Sequence, residues 1–166
     1  MTKTNMGYCI KIDCNPPNAW GANSKQLFVR GGKPGMTDGK NTQASKDWLY
    51  GELRDFKAKH FTRPLDGPLR LLIVVTWPYL KTEKKAVVNA GSRKWKTTTP
   101  DGDNGAKTVK DCLERSGFFL NDSLVCDETV RRSYGPEPGL LVEVMEMGDV
   151  ITRFDEHLKF QPKVKP

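Results

Sequence analysis

Histidine is almost missing from this chain, with His60 and His157 the only two in 166 residues. Cysteine is sparse too, and the four present, Cys9, Cys14, Cys112 and Cys126, form no C-x-x-C pair. A zinc site of thiolates and imidazoles is therefore not expected. The cysteines read as reduced, mostly buried small apolar residues. No apolar run reaches the ~20 residues a membrane helix needs, and no signal peptide opens the chain, so a cytoplasmic protein without a membrane partner is expected. There are no internal repeats and no glycine-rich phosphate loop, which weighs against a nucleotide-binding fold. Acidic residues are in deficit. The 27 Lys and Arg outweigh 20 Asp and Glu to leave a formal charge of +7, a balance that favours a polyanionic partner without requiring one.

What is present suffices for one domain with a core that needs neither disulfide nor metal. Tyr8 to Asp13 alternates like a half-buried strand, stopped by Pro16 and Pro17. Ala19 to Asn41 is rich in Gly, Asn, Lys and Ser and reads as a long loop around the apolar island Leu27-Phe28-Val29, with room for a small hairpin. A helix is expected from Thr42 or Ser45 to about Phe61, with Leu49, Leu53, Phe56 and His60 at helical spacing. Leu69 to Trp77 is nearly continuous in apolar residues and is the best central strand. Leu124 to Val130 and Gly139 to Met147 are two closing strands, with Tyr134 to Pro138 as the turn between them. Asp149 to Pro166 reads as a tail. The order predicts an α+β single domain, a mixed β-sheet with two main helices packed on it.

Between the central strand and the second helix the composition shifts. Lys81, Lys84, Lys85, Arg93, Lys94 and Lys96 face only Glu83 over residues 81–97, and Trp95 sits among the last bases. Such a loop suits nucleic acid, with cations on phosphates and the ring stacked on an exposed base. The plainer alternative is a solvated loop whose Trp95 tucks back onto the body.

That loop leads into Pro100-Asp101-Gly102-Asp103-Asn104-Gly105-Ala106-Lys107, then a helical run to Gly117, then Phe118-Phe119-Leu120-Asn121-Asp122. If Asp103 or Asn104 caps the helix, Asp103 and Lys107 lie one turn apart on one face. Ala106, Val109 and Leu113 form another face that can dock on a core, and Gly117 is placed to end the helix. If a turn returns Asp122 to the same mouth, Asp101, Asp103 and Asp122 suit magnesium, which takes a few carboxylates plus substrate phosphate. Caps and an ordinary Asp-Lys surface pair explain the same spacing. Asp127 and Glu128 read as solvated strand positions.

The run Asp101-Gly102-Asp103-Asn104-x-x-Lys107, followed by Asp111, Leu113, Gly117-Phe118-Phe119-Leu120 and Asn121-Asp122, resembles the RusA family of Holliday junction resolvases. The family pattern is D-x-D-N-x-x-K, a helix, an aromatic-bearing turn and a D-D pair. The resemblance extends to Asn15-Pro16-Pro17-Asn18 and to the last strand, implying an endonuclease domain over 1–148 and a tail over 149–166. It implies a homodimeric endonuclease that resolves four-way DNA junctions in recombination and repair, with Mg2+ as cofactor and Mn2+ as a substitute. Asp101, Asp103 and Asp122 would be the metal-binding carboxylates and Lys107 the catalytic lysine. Asn121 departs from the pattern, standing where the family has the first Asp of its pair. The alternatives kept beside this reading are a branched-DNA-binding protein without catalysis and a less selective flap or single-strand nuclease.

Overall fold

The structure, a computed structural model, describes residues 7–16, 25–60, 63–98 and 102–147. Pro17, Asn18, Asp101 and the tail from Asp149 lie outside these residues. The elements run β1 (Gly7–Asp13), β2 (Lys25–Arg30), β3 (Lys33–Asp38), α1 (Lys40–His60), β4 (Leu69–Pro78), α2 (Lys85–Asn89), β5 (Lys94–Trp95), α3 (Gly102–Arg115), a 3-10 turn (Asp122–Leu124), β6 (Val125–Gly135) and β7 (Gly139–Glu146). Five strands make one sheet in the order β1-β7-β4-β6-β5. Only β4 and β6 are parallel; the other neighbours are antiparallel. This is the mixed-sheet α+β domain that the pattern predicts.

β4 earns its central place through its composition. Leu69, Leu71, Ile73, Val75 and Trp77 point to one side and are all buried. The pairing register sets Leu140, Val142 and Val144 of β7 beside them, with Ile10 and Ile12 of β1 beyond. Leu49 and Leu53 of α1 and Ala106, Val109, Cys112 and Leu113 of α3 complete this core, so both long helices cover the same face. Along the opposite face Leu72, Val74 and Leu141 are only half-buried and Met145 is exposed.

α3 ends as its sequence dictates. Gly117 has φ of 73°, the left-handed region that favours glycine. Its N–H donates to the Glu114 carbonyl at 2.8 Å, and the Phe118 N–H donates to the Leu113 carbonyl at 3.0 Å. This pair of bonds closes the helix end, with Leu113 and Phe118 fully buried beside it.

The Gly-rich stretch holds the small hairpin it has room for, β2-β3, a second sheet with Gly31 and Gly32 both at positive φ in its turn. Other boundaries differ from expectation for local reasons. α1 starts at Lys40, and Ser45 lies inside it, where its hydroxyl donates to the Asn41 carbonyl at 2.8 Å. β6 continues through Tyr134 and Gly135, which pair with Trp77 and Pro78 instead of forming the turn. Of the cysteines only Cys112 is buried; Cys9 and Cys126 are exposed.

Candidate active site

α3 begins at Gly102, so Asp103 and Asn104 stand in its first turn and neither is its cap. A carboxylate there is favoured by the helix dipole. Asp103 and Lys107 are both exposed, and four residues apart they share one side of the helix. Asp101, immediately before Gly102, lies outside the described residues.

Asp122 does not join them within one chain. The side chains of β6 that face α3 alternate as Glu128, Val130 and Arg132. The Glu128 carboxylate meets the Lys110 ammonium at 2.6 Å. At the other end, a Cβ built on Gly102 would stand 3.4 Å from Nε of Arg132. α3 therefore runs antiparallel to β6, its first residue over Arg132 and its middle over Glu128. Asp122 opens the 3-10 turn that feeds the start of β6, beside the pairing of Leu69 with Val125, whereas Arg132 pairs with Val75 near the strand's other end. The seven steps from Val125 to Arg132 span roughly 23 Å of strand. Asp103 and Asp122 stand at opposite ends of α3, so these two carboxylates do not meet within one chain. Among the described residues no group of three or more His, Cys, Asp or Glu could hold a metal ion. Asp103 is nonetheless a hard oxygen donor of the kind magnesium takes, open to solvent and next in the chain but one to Asp101.

Asn121 has its own local task. Its side-chain oxygen accepts from the Ser123 N–H at 2.8 Å, capping the 3-10 turn. An amide serves there as well as a carboxylate, so the departure leaves this local bond in place. Asp127 and Glu128 are engaged, not merely solvated: Asp127 pairs with Arg70 at 2.8 Å and Glu128 with Lys110.

The basic stretch is more structured than a loop, holding α2 and β5, and its members separate into three groups. Lys81, Lys84, Lys85 and Arg93 are exposed. Lys94 is held by Glu83 at 2.9 Å. Lys96, expected among the phosphate contacts, is buried instead, at 8% exposure. Its ammonium donates to Thr98 Oγ1 at 2.7 Å and to the Tyr134 hydroxyl at 3.1 Å. It also lies 5.1 Å from the ring centre of Trp77 and 5.2 Å from that of Tyr134, an arrangement favoured by the negative ring faces. Burial pushes the Tyr134 phenol up, but hydrogen bonds from Thr98 and Lys96 and the adjacent charge outweigh it and hold the group below its ordinary value. Trp95 points the other way and is 69% exposed, so the indole is bare and does not tuck back.

Arg132 escaped the sequence reading. The one available signal was alternation, which sets Arg132 on the same side of β6 as Val130, toward the helices. Its Nη1 donates to the Thr98 carbonyl at 3.4 Å.

An acidic helix start, a lysine one turn on, exposed bases and a bare indole define a protein equipped to handle a polyanion. Residues 18–145 match the family model described as Endodeoxyribonuclease RusA. The chain belongs to the RusA endodeoxyribonuclease family, whose metal-dependent nucleases resolve Holliday junctions. The match takes in both long helices and all of the sheet except β1 and the last residue of β7. No curated protein matches the chain.

Proposed function

We propose that this protein is a cytoplasmic, magnesium-dependent junction resolvase that serves DNA recombination and repair as a homodimer, with Mn2+ able to replace Mg2+. Asp101 and Asp103 supply carboxylates from the start of α3. Because Asp122 stands at the far end of the helix, it serves the site of a second copy, so that each site draws on two chains. Asp101 and Asp103 of one chain with Asp122 of the other would hold the metal, which would supply Lewis-acid polarisation of the scissile phosphate and a more acidic water. Lys107 offsets charge that builds on the phosphate oxygens during attack. Lys81, Lys84, Lys85 and Arg93 contact backbone phosphates, with Lys94 beside them once Glu83 releases it. Trp95 stacks on an unpaired base near the crossover.

The observation that carries this reading is the exposed Asp103–Lys107 pair opening α3 directly after an arm with bare cations and a bare indole. The test is nicking of a synthetic four-way junction in magnesium and then in EDTA, with Asp103→Asn alongside. Cutting should need the metal, and Asp103→Asn should abolish it while retaining junction binding. Binding without cutting by the wild type would make the protein a non-catalytic junction binder. Equal cutting of branched and linear DNA would make it a less selective nuclease.

A further inference from the structure

The β2-β3 hairpin stands apart from the main sheet as a two-stranded sheet of its own. Among the described residues none from the hairpin joins the hydrophobic core. At its far end Arg30 and Lys33 are direct cross-strand partners on either side of the Gly31-Gly32 turn. Both are exposed. Like charges directly opposite one another, with Cβ atoms only about 5 Å apart, destabilise a strand pair. The fold thus holds two cations side by side against their repulsion, and an anion between them would relieve it. The turn itself is bare, since nothing lies within 4 Å of a Cβ built on either glycine. A phosphate backbone can therefore approach the main chain there closely.

The near end of the hairpin is tied to the candidate active site. Asp38, which closes β3, accepts from the Lys46 ammonium at 2.8 Å, and the same ammonium lies 3.9 Å from Asp111 of α3. Asp111 stands about one turn beyond Lys107 and two beyond Asp103, on the same side of the helix. α1 and α3 run in the same direction where they touch. Cys112 Sγ donates to the Lys46 carbonyl at 3.7 Å, and one turn on Arg115 lies 4.4 Å from the ring centre of Tyr50. The start of α1, from which the hairpin leaves, therefore lies toward the start of α3. From Asp38 to Lys33 the arm spans roughly 17 Å of strand.

We propose that the hairpin is a second DNA-contacting arm, with Arg30 and Lys33 gripping backbone phosphate of a junction strand. The inference rests on the DNA-binding part of the reading above and adds a surface that the reading does not use. The experiment is a salt titration of four-way-junction binding in EDTA, where no cutting is expected, with full-length wild type and three variants. Arg30→Ala with Lys33→Ala should make the slope of log affinity against log salt shallower by up to about two units per protomer, each phosphate neutralised contributing about 0.9. Lys33→Glu replaces a repulsive cross-strand pair with an attractive one. It should keep the melting temperature at or above that of wild type while weakening junction binding, an opposition that a merely structural turn would not produce. Arg54→Ala with Lys59→Ala removes the same charge from the later turns of α1 and should leave the slope alone.

An unchanged slope in the folded Arg30→Ala, Lys33→Ala protein overturns the proposal, and so does equal shallowing in the Arg54→Ala, Lys59→Ala control. If the double-alanine tip does not fold, Lys33→Glu decides, and wild-type affinity in that variant overturns the proposal. Wild type that binds the junction but fails to cut it in magnesium sinks the catalytic reading, while the slopes still decide the role of the hairpin. Wild type that binds no junction sinks both.

Discussion

A lysine's role follows from where its ammonium ends, not from the charge of the stretch it belongs to. Lys96 and Lys85 stand in one basic run, yet the first is enclosed by Trp77, Tyr134 and Thr98 while the second meets solvent. Lys96→Ala removes buried hydrogen bonds, ring contacts and packing, and should cost about 2–3 kcal/mol, which lowers the melting temperature by roughly 5–10 °C in a chain of this size. Lys85→Ala should stay within about 0.5 kcal/mol of wild type. Thermal unfolding checks both, and equal melting temperatures would remove the structural role of Lys96. The cysteines differ in the same way. Burial pushes the Cys112 thiol up to about 11, and only the thiolate is nucleophilic. At pH 8 a thiol reagent should modify exposed Cys9 and Cys126 quickly and reach Cys112 only on unfolding. Mass spectrometry of partly labelled protein reads the order directly; early labelling of Cys112 would contradict its burial.

Elements were legible in the sequence wherever one periodicity governed them. The run through Ile73 could be little else than a buried strand, and Ala106, Val109 and Leu113 marked the docked face of α3, as their burial bears out. Gly117 announced the helix end, and Gly117→Ala should cost about 1 kcal/mol or more in denaturant unfolding, because alanine there is strained at positive φ. Legibility failed where long-range pairing decided the outcome. Tyr134 and Gly135 look like turn residues, but β4 holds them in the sheet through Trp77 and Pro78. The separation of Asp103 from Asp122 was not legible for a related reason: spacing along a chain does not tell whether the residues after a helix return to its start or remain at its end. The arm between β4 and α3 carries its own prediction. Replacing Lys84, Lys85 and Arg93 together with alanine should make the slope of log affinity against log salt shallower by up to about three units per protomer, since each phosphate neutralised contributes about 0.9. Trp95→Ala should leave that slope alone and reduce discrimination between branched and linear DNA. An unchanged slope in the triple variant would move the phosphate contacts to another surface.

The whole molecule must place two cuts in strands related by approximate two-fold symmetry, which a symmetric pair of chains does directly. Sedimentation at micromolar concentration should therefore show a species near twice the 18.7 kDa chain mass. The separation of Asp103 from Asp122 along α3 makes a sharper demand. If each site takes Asp101 and Asp103 from one chain and Asp122 from the other, Asp103→Asn and Asp122→Asn are inactive alone but complement each other. In the mixed dimer, the Asp103→Asn chain gives its intact Asp122 to the intact Asp103 of its partner, restoring one site, while the other site carries both lesions. Co-refolded or co-expressed mixtures should nick one strand of a junction and fail to resolve it, with each homodimer silent. Sites contained within single chains predict the opposite result, because every site in the mixture would then hold one lesion and no nicking would appear. Nicking by the mixture places the catalytic centre across the dimer; silence, with mixed dimers confirmed by native mass spectrometry, returns it to one chain and requires Asp122 to reach Asp103 along a path that the antiparallel packing of α3 on β6 does not provide.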